Sequence, residues 1–205
     1  MNWPPARTAL QGRIVRLEPI DPAHRAPLEA VSREAEMWAW IDRRIAGDRA
    51  AFHAWFDARL AASLDGREWC LITHRLPGGE PIGSSTYLNV RPLDDGLEIG
   101  RTWLHPSAWR TGANVEAKLL MLDHAFGELG CMRVEFKTDA RNERSRAALA
   151  ALPATFEGVF RKHMLRPLIG VRDSAYYSII DDDWPHVRDK LAARLAGRAE
   201  ASVRA

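Results

Sequence analysis

Residues 97–138 read LEIGRTWLHPSAWRTGANVEAKLLMLDHAFGELGCMRVEFKT, and this stretch decides the fold. Leu97–Leu104 is a β-rich run that leaves the Asp94-Asp95-Gly96 turn. From Gly112 to Leu129 the apolar residues Val115, Leu119, Leu122, Phe126 and Leu129 recur at helical spacing, and Gly130 supplies the stop. Arg133–Thr138 then alternates strictly, Val134, Phe136 and Thr138 opposing Arg133, Glu135 and Lys137, which is strand spacing. Strand, long helix and strand make a crossover, and a crossover joins strands that lie parallel.

Upstream of this unit, Gly12–Ile20 reads as a first strand, and Asp21-Pro22 starts a helical stretch that runs to Trp40. A second helix is expected over Asp48–Leu64. Glu68–His74 and Pro81–Val90 flank Leu76-Pro77-Gly78-Gly79-Glu80 and form a hairpin, so three consecutive antiparallel strands precede the crossover. Downstream come a helix at Asn142–Leu152 capped by Asn142, strands at Phe156–Leu165 and Ser174–Ile180, and a last amphipathic helix from Trp184-Pro185. The prediction is one α+β domain over 1–205, with a frayed tail at 196–205. Its centre is a mixed, mostly antiparallel sheet of about seven strands with flanking helices.

Composition excludes several classes of function. Hydrophobic residues are 46%, enough to build a core. Lys and Arg number 29 against 27 Asp and Glu, a net +2 that argues against direct nucleic-acid binding. No apolar run reaches the ~18 residues of a membrane helix. Met1-Asn2-Trp3-Pro4-Pro5 lacks the basic-then-apolar order of a secretory signal, so a cytoplasmic, membrane-free protein is expected. Cys70 and Cys131 stand alone in apolar strand contexts and read as core residues; the histidines are scattered, and no metal is expected. Met37, Trp38, Trp40, Phe52, Trp55 and Phe56 concentrate aromatic bulk before the hairpin. Helix packing is the favoured reading of that bulk, and a substrate-groove lining is the alternative. Apolar C-terminal strands would suit a homodimer.

The turn Trp109-Arg110-Thr111-Gly112-Ala113-Asn114 enters the long helix. Helix N-termini leave N–H groups free and aligned with the helix dipole, which suits an anion. Gly112 permits a positive φ there, and Arg110 offers a fork of donors to phosphate. Neither a dinucleotide fingerprint nor a P-loop is present. Residues 101–170 hold eleven Lys/Arg against seven Asp/Glu, an excess that suits a polyanionic ligand.

Taken together, these residues resemble the GCN5-related N-acetyltransferases (GNAT), in their RimJ/RimL-type branch. The resemblance runs through Gly12–Leu17, Pro81–Tyr87, Leu97–Leu104, Gly112–Lys118, Asn142–Ser145, Glu157-Gly158 and Arg172–Trp184. The family fingerprint Gln/Arg-x-x-Gly-x-Gly/Ala becomes Trp109-x-x-Gly112-x-Asn114, keeping the central Gly. It implies acetyl-CoA held in a gap between strands 97–104 and 133–138. The pyrophosphate would lie on the amides of Thr111, Gly112, Ala113 and Asn114 beside Arg110, the pantetheine along Trp103 and Leu104, with Asn142 as a helix cap within reach. It also implies direct acetyl transfer to a primary amine, either a protein N-terminus or a small molecule.

The tyrosine that serves many relatives as acid falls at Leu149, and Ser145 is the RimL-like substitute. Glu98 is the preferred base and His163 the other candidate. Pro153 replaces the usual Gly, so a different helix exit is expected. The competing function is a degenerate acyl-CoA-binding or sensing module without turnover.

Overall fold

The computed structural model describes residues 1–166 and 170–203. The strands are β1 (Leu10–Gln11), β2 (Val15–Pro19), β3 (Trp69–Arg75), β4 (Pro81–Arg91), β5 (Gly96–Leu104), β6 (Arg133–Asp139), β7 (Thr155–Arg166) and β8 (Gly170–Ile180). The helices are α1 (Arg25–Val31), α2 (Ala35–Trp38), α3 (Arg49–Leu64), α4 (Ala113–Asp123), α5 (Glu143–Ala150) and α6 (Trp184–Val203). All eight strands join one sheet in the order β1-β2-β3-β4-β5-β6-β8-β7. The pairings are antiparallel except β5–β6. The two-residue β1 is the addition to the predicted set.

Each face of the sheet is covered by its own helices. Alternation along β5 sends Leu97, Ile99 and Leu104 into one core, where Met121, Leu122, Val187 and Leu191 of α4 and α6 meet them. Trp103 enters the other core with Leu28, Trp38, Phe52 and Phe56 from α1, α2 and α3. Trp38, Phe52 and Phe56 are buried there, at ~1.5–3 kcal/mol for a buried side chain of that size. Most of the early aromatic bulk is therefore packing.

The helix start predicted at Asp21-Pro22 is met by a specific bond: Asp21 accepts from Ala23 N at 2.9 Å, capping the 3-10 turn Pro22–His24 that leads into α1. Asp48, predicted only as the first residue of its helix, caps α3 by accepting from Ala51 N at 3.0 Å. The helical stretch expected to reach Trp40 instead breaks after Val31 and resumes as the short α2. The long helix reaches Leu129 by adding a π turn at His124–Glu128, and Gly130 takes φ +69° as its stop. At the exit of α5, Leu152 N and Ala154 N both donate to Leu149 O, and the chain passes through Pro153 into β7. α6 is helical over 196–203, the stretch expected to fray, and Arg198 donates to Arg110 O. Residues 204–205 lie outside the described residues.

Candidate active site

The crossover sets the site. β5 and β6 pair only over Gly96–Glu98 and Arg133–Glu135, and beyond Glu98 the two strands part. Each then keeps to its own neighbour, β5 to β4 and β6 to β8. The opening is a cleft of about 880 Å³. Two bulges flank Glu98. Asn89 is the extra residue on β4, at φ +48°, and Arg101 the extra residue on β5, at φ +49°. A bulge takes backbone groups out of the ladder and re-aims side chains, a common device beside active sites.

One end of the cleft is the turn into α4. Gly112 has φ +98°, and a Cβ there would lie 3.2 Å from Ile14 Cδ1. Thr111 Oγ1 donates to Ala108 O at 2.7 Å and accepts from Ala113 N at 3.3 Å. Thr111 and Ala113, both predicted cofactor contacts, do not line the cleft, and the Ala113 amide is taken by Thr111 Oγ1, whereas Arg110, Gly112 and Asn114 line it. Arg144, Arg194 and Arg198 join them. Arg144 lies over the Trp109 ring at 4.2 Å and pairs with Glu36 at 3.2 Å. Asn114 Oδ1 is buried without a donor among the described residues. Positive charge, a glycine that brings the main chain close and an unmet acceptor fit the phosphates and amides of an acyl-CoA.

At the apex Glu98 is 4% exposed. Its Oε2 accepts from Asn89 Nδ2 at 2.6 Å and pairs with Lys137 Nζ at 3.0 Å. Its Oε1 takes no bond from the described residues and lies 2.9 Å from where a Gly100 Cβ would stand. The missing side chain at Gly100 thus leaves one carboxylate oxygen open to the cleft. Across from it, Asn142 caps α5 by accepting from Ser145 N at 3.1 Å. That cap turns half-buried Ser145 to the cleft, where its hydroxyl meets no partner among the described residues. Trp103, Leu104 and Asn142 line the same space.

His163 does not line the cleft. Its Nδ1 lies 2.9 Å from Ser174 Oγ and its Nε2 3.3 Å from Tyr176 Oη, and burial lowers its pKa. Cys70 and Cys131 are buried, with thiols pushed up to about 11 by burial, as inert core cysteines should be. Glu18, His24 and His74 bring ligand atoms within 4.8 Å of one another. His24 Nδ1, however, accepts from Asp21 N, which leaves the ring proton on Nε2, the atom facing Glu18.

Several residues in the cleft wall have no counterpart among the sequence candidates, Arg144, Arg194 and Arg198 among them. Lys137 reaches Glu98 because the parallel register sets Glu135 beside Glu98 and alternation returns Lys137 to the same face. That pairing was readable once the crossover was assumed. Asn89 depends on the β4 bulge and had no signal. Arg172 is 8% exposed, with Nε unpartnered among the described residues and a pKa lowered by burial. Lys118 is buried in α4, donating to Ser85 Oγ at 2.9 Å and Thr102 Oγ1 at 2.7 Å.

Comparison with known proteins agrees with this geometry. The sequence profile of the acetyltransferase (GNAT) domain matches residues 15–154. A T. thermophilus protein provisionally identified as an acetyltransferase is 37% identical, with a TM-score of 0.81 over 91% of this chain and 96% of that one. A GCN5-related N-acetyltransferase from Brucella melitensis is 28% identical, with a TM-score of 0.85 over 92% and 86% of the two chains. Mycobacterium smegmatis RimJ, solved in complex with CoA-disulfide, shares the fold at 22% identity and a TM-score of 0.76, over 93% and 92% of the two chains. No curated protein matches the chain significantly. With the domain profile spanning most of its length, the chain belongs to the GNAT family and is an acetyltransferase.

Proposed function

We propose that this acetyltransferase takes acetyl-CoA in the β5–β6 cleft and acetylates a primary amine directly, without a covalent enzyme intermediate. The observation that carries the reading is the parting of β5 and β6 just beyond Glu98, with the α4 N-terminus and its arginines at one end. Acetyl-CoA supplies an activated acyl group. The protein has three tasks: to seat phosphates, to take a proton from the acceptor and to offer one to the leaving sulfur.

Arg110, Arg144, Arg194 and Arg198 with the turn at Gly112 serve the first. Glu98 Oε1 serves the second, because it is the open oxygen of a buried carboxylate whose other oxygen is held by Asn89 and Lys137. It binds the acceptor's ammonium and receives its proton, directly or through one water. Ser145 serves the third, with a hydroxyl free at the cleft wall. A binding-only module would need neither open group.

Calorimetric titration with acetyl-CoA, followed by thiol release over an amine and peptide panel, tests the reading. Gly112→Trp should abolish acetyl-CoA binding, since a side chain at φ +98° both strains the turn and fills the cradle. Glu98→Gln should bind acetyl-CoA normally and lose about 100-fold in kcat, the usual scale for a general base. Gly100→Ala should mimic it, because the new Cβ crowds Oε1 at 2.9 Å and Leu88 Cδ2 at 3.1 Å. Binding without thiol release from any amine would favour the sensing module instead.

A further inference from the structure

The face of the sheet that carries Glu98 also carries Trp103, since Leu97, Ile99 and Leu104 belong to the opposite core. Above that face, Trp55 and Arg59 stand one turn apart on α3. The Trp55 ring centroid lies 6.0 Å from that of Trp103. Trp55 Nε1, Arg59 Nε and Trp103 Nε1 are all buried, and none has an acceptor among the described residues. All three residues line the cleft. A buried donor without an acceptor is destabilising, and three on one wall call for an acceptor that the chain does not supply.

Charge points the same way. Arg59 and Arg101 both pair with one carboxylate, Glu68, so two guanidinium groups share a single negative charge. Burial and the neighbouring Arg101 hold the Arg59 pKa below its ordinary value, the mark of a cation short of counter-charge. The α2 side of the chamber is tied across to α5 by Glu36–Arg144 and to β7 by Arg166 donating to Ile41 O. The chamber is therefore roofed as well as cationic.

We propose that the acceptor is a small amine that also carries a carboxylate, an amino-acid-type molecule, with its carboxylate on the Trp55–Arg59–Trp103 wall and its amine at Glu98. The inference rests on the acetyl-transfer reading of the same cleft. Transfer joins the amine nitrogen to the acyl carbon as the carbon–sulfur bond breaks. One amine proton passes to Glu98, and the departing sulfur is protonated from the cleft. The carboxylate takes no part in bond making and serves recognition.

The test is thiol release with alanine, phenylalanine and lysine, each beside its C-terminal amide. Wild type should favour the carboxylate in kcat/KM by about tenfold or more, the scale of a hydrogen bond to a charged group. Arg59→Gln, which leaves Glu68 held by Arg101, should bring that ratio close to one. Trp55→Phe, which keeps the ring and removes the N–H, should lower it less. Equal or better use of the amides, with ample thiol release, overturns the inference and leaves acetyl transfer intact. Thiol release from no amine overturns acetyl transfer. Calorimetry with N-acetylphenylalanine and its amide then decides: tighter carboxylate binding that Arg59→Gln abolishes sustains the wall, and equal binding overturns it.

Discussion

Lys118→Met should make the protein more stable, most of all at neutral and acid pH. Lys118 is fully enclosed, and desolvation lowers its pKa from 10.5 to about 7. Its partners are the Ser85 and Thr102 hydroxyls, neither of them charged. Below about pH 7 the native state holds a buried ammonium, and the full penalty applies. As pH rises towards 10.5 the unfolded chain binds protons that the native state does not, so native stability climbs and the penalty vanishes.

At 1.36 kcal/mol per unit the penalty is about 5 kcal/mol at most. Methionine fills similar volume, and Ser85 Oγ and Thr102 Oγ1 already lie 2.8 Å apart and can bond each other. A net gain of about 3 kcal/mol, or about 6–12 °C in Tm, is expected at pH 7 or below, shrinking towards pH 10. Scanning calorimetry of both proteins across pH 6–10 reads it directly; a variant less stable at every pH would refute the account. The lysine lines the cleft, so this instability lies at the candidate active site.

Glu116→Ala should act in the opposite direction. Glu116 is buried on α4 and accepts from the N–H groups of Arg13, Ile14 and Val15 at 3.0, 2.6 and 2.7 Å. Gly12 makes room for it, since a Cβ there would lie 2.4 Å from Oε2. Removing the carboxylate orphans three backbone donors at ~1–3 kcal/mol each, and urea unfolding should show a loss of about 4 kcal/mol. Ile14, held by this clasp, leans on Gly112. The same variant should therefore weaken acetyl-CoA binding about tenfold, whereas a remote destabilising substitution of equal size should leave binding unchanged under native conditions. Unaltered stability would mean that water replaces the carboxylate at all three donors.

The lysine and the glutamate also mark where reading the chain stops. In a helical stretch, Glu116 and Lys118 look like solvent-facing polar residues, and no spacing rule separates them from Asp123 or Glu128. Their burial follows from long-range packing, Glu116 against residues about a hundred positions earlier and Lys118 against β4 and β5. Asn89 and Arg101 were equally silent, because a bulge depends on the register between two strands. By contrast Glu98, Ser145, Arg110, Gly112, Asn114 and Asn142 are all candidates in the sequence, and the fold brings them to one cleft. His163, also a candidate in the sequence, lies outside the cleft lining, its ring occupied by Ser174 and Tyr176.

Local periodicity and turn chemistry, acting over a few residues, determined by themselves the β5–α4–β6 crossover, the hairpin before it, the helix start at Asp21, the cap at Asn142, and the glycine turn into α4. Only the tertiary structure decided how far β5 and β6 stay paired, which oxygen of Glu98 remains open, and which buried donors and charges go without partners. Those properties are set by distances between residues far apart in the chain, and the balance of desolvation against pairing that fixes their chemistry exists only once the chain has closed around them.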